Sequence, residues 1–239
     1  MRLTTRLIVM ALLTLSGVSS LARAQRGGRV EAVPFIGFYV PVATLIEVVD
    51  PGSGVGVKFE QQAAFSFGGR IGYWVTPRVA VEGAAGYTAS DVKLTILGTG
   101  TPAVQSDGAR VLGFSARARL RLRAGPAAFH LLGGVAVVSR YGSLWDLLAQ
   151  SGIPVAGRTD VGALLGAGVA FPVCPGLEFR VEVEDYVHQA KFTVGGGANP
   201  PESTDARTQN DLVISTGLAI RLGRPQGVTP GSRRETALE

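Results

Sequence analysis

Apolar and charged side chains alternate with a period of two along much of this chain, most clearly between Leu177 and His188. The odd positions from Leu177 to Val183 are apolar, whereas the even positions from Glu178 to Glu184 are charged. Successive side chains of an extended strand point to opposite faces, so this pattern predicts a strand with one apolar face and one ionic face.

The same alternation recurs along the chain and predicts eight strands. They cover residues 31–44, 63–75, 79–89, 110–123, 128–141, 160–171, 177–188 and 210–222. Short turns follow the second, fourth and sixth strands, and long polar links follow the first, third, fifth and seventh. Residues 143–150, in the third long link, are predicted to form one or two helical turns. The pattern is typical of an all-β fold, an eight-stranded antiparallel up-and-down transmembrane barrel with short periplasmic turns and long external loops.

The beginning of the chain is typical of an exported protein. Residues 1–24 pass from a basic start through a short apolar run to small residues ending at Ala24, which is the layout of a secretory signal peptide. We therefore expect a signal peptide at 1–24, a barrel domain at 25–223 and a C-terminal tail at 224–239. No later apolar run reaches the roughly 20 residues that a membrane-spanning helix needs.

Composition narrows the classes of function. Only 17% of the residues are charged, and the formal net charge of +5 falls to +2 when the three arginines of residues 1–24 are removed. We expect no nucleic-acid partner, because no basic patch with interleaved aromatic residues appears. The single cysteine, Cys174, has no partner for an intramolecular disulfide and is interpreted as an incidental turn residue. No motif for a metal or another cofactor is present.

Alternation alone leaves open which face points inward, because a soluble lipocalin-like barrel has the same period with the opposite sense. The absence of charge from residues 161–171 favours a membrane barrel. Aromatic residues also gather near the strand ends, as the aromatic girdles of membrane barrels do. The predicted girdle residues are Phe65, Phe67, Tyr73, Trp74, Tyr87, Phe129, Tyr141, Phe171, Phe179 and Tyr186.

Three residues conflict with strict alternation. It places Trp74 and Tyr186 on the interior side, and Asp185 on the lipid side. A bulge of one residue at Asp185 would turn Tyr186 outward, because an extra residue moves every later side chain to the other face. We therefore expect Asp185 near the outer rim or at such a bulge.

With the charged faces inside, the narrow interior is predicted to contain a network of ion pairs, since buried charges are tolerated only when they are paired. Glu82 is expected beside Arg119 and Arg121, and Glu178 beside Arg221. Ala170 is expected opposite Glu178 across the short turn, so that small residues of the sixth strand leave room for long ones. The predicted network contains Arg70, Glu82, Arg117, Arg119, Arg121, Glu178, Arg180, Glu182, Glu184 and Arg221.

The hairpin from Gly68 to Gly83 and the closing segment Gly217–Gly223 resemble the small outer-membrane β-barrel domains of the OmpA and OmpX type. The resemblance implies an eight-stranded barrel in a bacterial outer membrane, with membrane lipid and the outer-membrane insertion machinery as partners. Such barrels often finish on a C-terminal aromatic residue, whereas the last strand of this chain finishes at Leu222.

Several functions remain open from the sequence. A structural, ion-filled barrel without enzymatic activity is favoured, because eight strands enclose only enough space for side chains. The alternatives are a narrow gated pore for ions or small solutes, a soluble lipocalin-like periplasmic binding barrel, and a lipid-modifying outer-membrane enzyme. The enzyme is disfavoured because neither His130 nor His188 belongs to a recognisable catalytic motif. Capture of an external ligand by the loops is a further possibility.

Overall fold

A computed structural model describes residues 29–49, 56–98, 103–122, 126–150, 155–156, 158–190, 193–196, 199–203 and 207–222. The predicted signal peptide and the C-terminal tail lie outside these residues. Within them the chain forms fifteen strands and one helix. In order they are β1 (Arg29–Pro41), β2 (Ile46–Val49), β3 (Gly56–Gln61), β4 (Ala64–Trp74), β5 (Val79–Thr88), β6 (Asp91–Leu97), β7 (Ala103–Gly108), β8 (Arg110–Arg121), β9 (Ala128–Tyr141), α1 (Ser143–Gln150), β10 (Val155–Ala156), β11 (Thr159–Cys174), β12 (Leu177–Ala190), β13 (Thr193–Gly196), β14 (Asn199–Ser203) and β15 (Arg207–Leu222).

Eight of the strands close into an antiparallel barrel in the order β1-β15-β12-β11-β9-β8-β5-β4. These are the eight strands that alternation predicts, and their ends differ by a few residues. The predicted helical segment is confirmed as α1. The strands β4 and β5 contain 11 and 10 residues, close to the 9–11 that a tilted strand needs to cross a bilayer.

The turn between β11 and β12 is tighter than predicted. β11 continues through Pro172 to Cys174, with an irregularity in register between these two residues, and leaves only a short turn at Gly176. Gly176 has a φ of +88°, a conformation that glycine adopts without a steric penalty. Ala170 therefore pairs with Arg180 rather than with Glu178. This shift of two residues preserves the face of every side chain.

The prediction that the long links are polar loops is wrong, because most of their described residues form strands that extend the barrel wall. β2, β3, β6 and β7 form a four-stranded external sheet in that order, which repeats the order β1-β4-β5-β8 of the wall below. Backbone bonds from Gln62 N to Asp91 O (2.8 Å) and from Ala109 N to Ser90 O (2.9 Å) continue the ladder across the junction. A second sheet, in the order β10-β13-β14, likewise repeats the order of the wall strands β11, β12 and β15 to which its strands are connected.

The two faces of the wall exchange polarity at this junction. Below it, inward positions such as Glu82 are charged and outward positions are apolar. Above it, Val92 points inward and is buried, whereas Lys93 on the opposite face forms part of a polar outer surface. The inward residues pack into an apolar cap of the barrel mouth. The cap consists of Leu45, Val92, Ala109, Leu144 and Trp145, with Phe59 packed against it.

The outer wall below the junction is apolar and exposed. Ile71, Val135 and Leu165 expose 60% or more of their surface. A contiguous apolar surface of this kind is rare on soluble proteins but is required of a barrel in lipid. The soluble lipocalin-like alternative is therefore wrong. Within the described residues, no helix is long and apolar enough to cross a bilayer.

Candidate functional site

The interior of the barrel is filled by charged side chains in two clusters. Together they contain seven arginines and seven carboxylates, all on inward positions of the barrel strands. The larger inner cluster lies toward the short turns and includes all ten residues of the predicted network. Its members are Glu31, Arg70, Glu82, Arg117, Arg119, Arg121, His130, Glu178, Arg180, Glu182, Glu184 and Arg221.

Glu182 on β12 is the centre of the inner cluster. Its carboxylate oxygens lie 2.8 Å from Arg119 Nη2, 3.3 Å from Arg117 Nη2 and 3.4 Å from Arg70 Nη1. His130 Nε2 lies 3.1 Å from the same carboxylate. These partners come from β8, β4 and β9, so a single buried carboxylate connects four strands.

The neighbouring carboxylates complete this part of the cluster. Glu82 lies 3.0 Å from Arg117 Nε and 2.9 Å from Arg119 Nη2. Glu184 lies 2.6 Å from Arg117 Nη1 and 2.7 Å from Arg70 Nη2, and accepts a hydrogen bond from Tyr186 OH at 2.9 Å. The pairing of Glu82 with Arg119 is as predicted.

The inner end of the cluster departs from prediction in two ways. Arg121 does not reach Glu82 and instead lies 2.7 Å from Glu178, which also binds Arg221. Arg180 binds Glu31, a residue that is absent from the predicted network. The missed signal is the alternation of β1, in which Glu31 occupies the same face as the buried residues Val33 and Phe35.

Glycines opposite the long side chains make room for them. Gly168 pairs with Glu182, and Gly134 pairs with Arg117. A Cβ atom at Gly134 would collide with the backbone of Arg117, and one at Gly168 would collide with Val181 O and the His130 ring. The predicted principle of small residues facing long ones therefore holds, although the partners differ by two positions in β12.

The smaller outer cluster lies toward the external sheets and was not predicted. Arg140 is its centre, with Nη1 3.0 Å from Asp160 and Nη2 2.8 Å from Asp211. Arg140 Nη2 also lies 3.1 Å from His188 Nε2. All four residues are buried inward positions near the outer strand ends. Each of these residues is isolated on the inward face of its part of the strand. No repeated charged pattern in the sequence therefore indicated the outer cluster.

An apolar layer separates the two clusters. It consists of Tyr39, Val111, Val138 and Val213, with Tyr186 packed against it. A cavity of about 30 Å³ is lined by the residues of this layer together with polar residues such as Ser66, Thr88 and Asp211. A cavity of this size holds about one water molecule. The layer therefore lies between the two charged parts of the interior.

The surroundings of the two histidines show whether either could take part in catalysis or bind a metal ion. Among the described residues, His130 and His188 contact charged side chains and backbone, and no serine is hydrogen-bonded to either ring. The same part of the chain contains no group of three His, Cys, Asp or Glu side chains arranged to hold a metal ion.

Eight of the ten predicted girdle residues occupy outward positions. Phe65 and Phe67 belong to a row of rings on neighbouring strands, in which Phe38 lies 6.0 Å from Phe65 and Tyr87 lies 5.3 Å from Phe67. The other outward residues are Tyr73, Phe129, Tyr141, Phe171 and Phe179. Anchoring of the barrel by these rings at the membrane interfaces stays a prediction.

Trp74 and Tyr186 do not belong to the girdles, because both face the interior. Trp74 is buried beneath Arg121, whose guanidinium lies 4.9 Å from the ring centre. The bulge proposed at Asp185 is absent, since β12 pairs without interruption with both neighbours there. Asp185 stays on the outer face, where Asn210 Nδ2 donates a hydrogen bond to it at 2.9 Å.

Comparison with known proteins gives similarity of fold only. No protein-family model and no curated protein matches the chain. Outer membrane protein AlkL, solved in lipid bilayers, is 16% identical over 85% of this chain and 94% of its own, with a TM-score of 0.45. The E. coli outer membrane protein W is 14% identical over 83% of this chain and 100% of its own, with a TM-score of 0.42.

A third similar structure is the N-terminal β-barrel domain of Pseudomonas aeruginosa OprF. It is 11% identical over 82% of this chain and 100% of its own, with a TM-score of 0.41. The assignment of this chain rests on its own architecture. A closed barrel of eight antiparallel strands, with an apolar outer wall and a charged interior, is the architecture of a transmembrane β-barrel.

Proposed function

We propose that this protein is a closed, non-conducting barrel whose role in the outer membrane is structural. The barrel anchors the chain in lipid, and its wall continues outward as the external sheets. In this proposal the buried ion pairs make the barrel rigid and its interior impermeable. The outward extension of the wall provides a surface on which an external ligand can bind.

One observation carries the proposal, namely that ion pairs cross the whole interior of the barrel. Arg119 and Glu182, on opposite walls, are in direct contact and each exposes only 1% of its surface. Breaking such a pair leaves a buried charge without its partner, which costs about 3–5 kcal/mol. The apolar layer around Val138 is a second barrier in series with the first.

Recording from planar lipid bilayers tests this proposal. We expect no ion current through the purified wild-type protein at any moderate voltage. The matched control is Val183→Ala, which changes an outward residue of β12 next to Glu182 and is expected to be equally silent. A wild-type current whose ion preference changes in Glu182→Gln, but not in Val183→Ala, would overturn the proposal.

A narrow gated pore is the second candidate, and the apolar layer is the observation that favours it. Hydrophobic constrictions gate some channels by losing their water. Here a single layer, which lines a water-sized cavity, separates two charged clusters. In this case Val138→Ser, which makes the layer polar, would produce a current, whereas the structural proposal expects none.

A further inference from the structure

Four arginines lie on one side of the barrel at the end that carries the short turns. Arg29 begins β1, Arg78 lies between β4 and β5, Arg121 ends β8, and Arg221 lies one residue before the end of β15. The five strands involved are contiguous, in the order β15-β1-β4-β5-β8. Arg121 N bonds to Arg78 O at 2.7 Å, so these two residues are direct neighbours. We call this group the arginine patch.

Two members of the arginine patch, Arg29 and Arg78, have no carboxylate partner among the described residues around them. The carboxylates at this end are buried and already paired, Glu31 with Arg180 and Glu178 with the patch members Arg121 and Arg221. Arg29 and Arg78 are exposed, and neither forms an ion pair within the part of the chain that the structure describes. The patch therefore has an excess of positive charge that is exposed at this end of the barrel.

The excess of positive charge is confined to one sector of this end of the barrel. Arg121 and Arg221, which bind Glu178, lie at the edge of that sector and keep 19% and 33% of their side chains exposed. The opposite sector, formed by β9, β11 and β12, contains only uncharged residues in its described ends, 126–129 and 172–177. A uniform basic rim would reflect solubility alone, whereas a single charged sector points to a partner that binds there.

The position of the patch indicates what that partner is. Tyr73, on the outward face of β4, pairs with Val30 next to Arg29 and is therefore close to the patch in the chain and in space. Tyrosine and tryptophan concentrate where the hydrocarbon of a membrane meets its headgroups. The exposed guanidinium groups are therefore at the level of lipid phosphates, and arginine binds phosphate through paired hydrogen bonds.

We propose that the arginine patch is a binding site for anionic phospholipid headgroups in the membrane leaflet next to the short turns. Arg29 and Arg78 bind the phosphate, and Arg121 and Arg221 border the site while they stay bound to Glu178. The inference rests on the proposed membrane location of the barrel. The inference adds a preference for anionic lipid, which is independent of the charged interior of the barrel.

Native mass spectrometry of the purified full-length protein in a mixture of phosphatidylglycerol and phosphatidylcholine tests this inference. The wild type is expected to retain more phosphatidylglycerol than phosphatidylcholine. Replacing Arg29 and Arg78 together by glutamine is expected to lower this ratio by roughly fivefold for each arginine removed. The matched control is Lys93→Gln with Arg110→Gln, which removes two outward cations at the other end of the wall and is expected to leave the ratio unchanged.

Heat-modifiable gel migration of the membrane fraction separates the two possible failures. Wild-type protein that is absent from this fraction would contradict the membrane barrel itself. Folded membrane protein whose ratio is the same in the arginine variant would overturn only the lipid site, as would an equal fall in the control variant. Binding of an acidic macromolecule to the patch instead would leave the lipid ratio unchanged, and so counts against the proposal.

Discussion

Arg119 and Glu182 lie on strands three places apart around the barrel, yet Arg119 Nη2 is 2.8 Å from Glu182 Oε1. Contact across the interior is possible because an eight-stranded barrel encloses only enough space for side chains. The pair holds opposite walls together, and its partners extend the connection to further strands. Stability of the barrel should therefore depend strongly on individual charges inside it.

Replacement of Glu182 by glutamine is expected to destabilise the barrel by about 3–5 kcal/mol, because Arg70, Arg117 and Arg119 lose a shared buried carboxylate. Equilibrium unfolding in urea with lipid vesicles measures the change. Glu60→Gln is the matched control, since Glu60 pairs with Lys58 at 2.7 Å on the exposed external sheet. A pair of that kind contributes about 0–1 kcal/mol. Equal effects of the two variants would contradict the central role of Glu182.

Glycine at position 168 is expected to be required for packing of the interior. In Gly168→Val, the new side chain would collide with Val181 O, the His130 ring and Glu182, so we expect a loss of stability of at least about 1–3 kcal/mol. Gly83→Val is the control, because no heavy atom lies within 4 Å of a Cβ at that glycine. Its stability should be unchanged or raised by up to about 1 kcal/mol, as valine favours strands. The same unfolding measurement compares the two variants, and a tolerated Gly168→Val would refute the close packing.

A charge on the outer wall should destabilise the protein strongly on one side of the polarity junction and very little on the other. Val135, in the middle of β9, and Val104, on the external sheet, are 60% and 57% exposed. Val135→Arg is expected to destabilise the barrel folded in lipid by about 2–4 kcal/mol, because it places a charge in hydrocarbon. Position 104 faces water, so Val104→Arg should change the stability of the folded protein by no more than about 0.5 kcal/mol. Folding of both variants into lipid vesicles, followed by gel migration, measures the two changes in stability. Similar losses of stability in the two variants would show that the membrane boundary is misplaced.

The apolar cap should unfold separately from the barrel. Trp145→Ala removes the largest side chain of the cap and should destabilise it by about 3–5 kcal/mol. We expect faster proteolysis of the external segments, while the barrel keeps its heat-modifiable migration. Loss of both properties together would show instead that the cap and the barrel fold as one cooperative unit.

Period-two alternation was sufficient to identify the eight barrel strands and most of the inner ion cluster. Long strands such as β8 and β12 repeat one charged face many times, so their inward residues are evident without any structure. Short strands carry a weaker signal. Residues 91–97 of β6 do alternate, with Val92, Leu94 and Ile96 on one face, but their charged neighbours made the segment resemble a polar loop.

The sequence by itself determined the barrel, its strand number and the inward direction of the charges, because these follow from local alternation and from the lengths of the links. Only the tertiary structure decided the partners of each charge. The shift of two residues beside Gly176, the inward positions of Trp74 and Tyr186, and the outer cluster around Arg140 all depend on how strands pair around the closed ring. The long-range contact between Arg119 and Glu182 likewise exists only because the barrel closes.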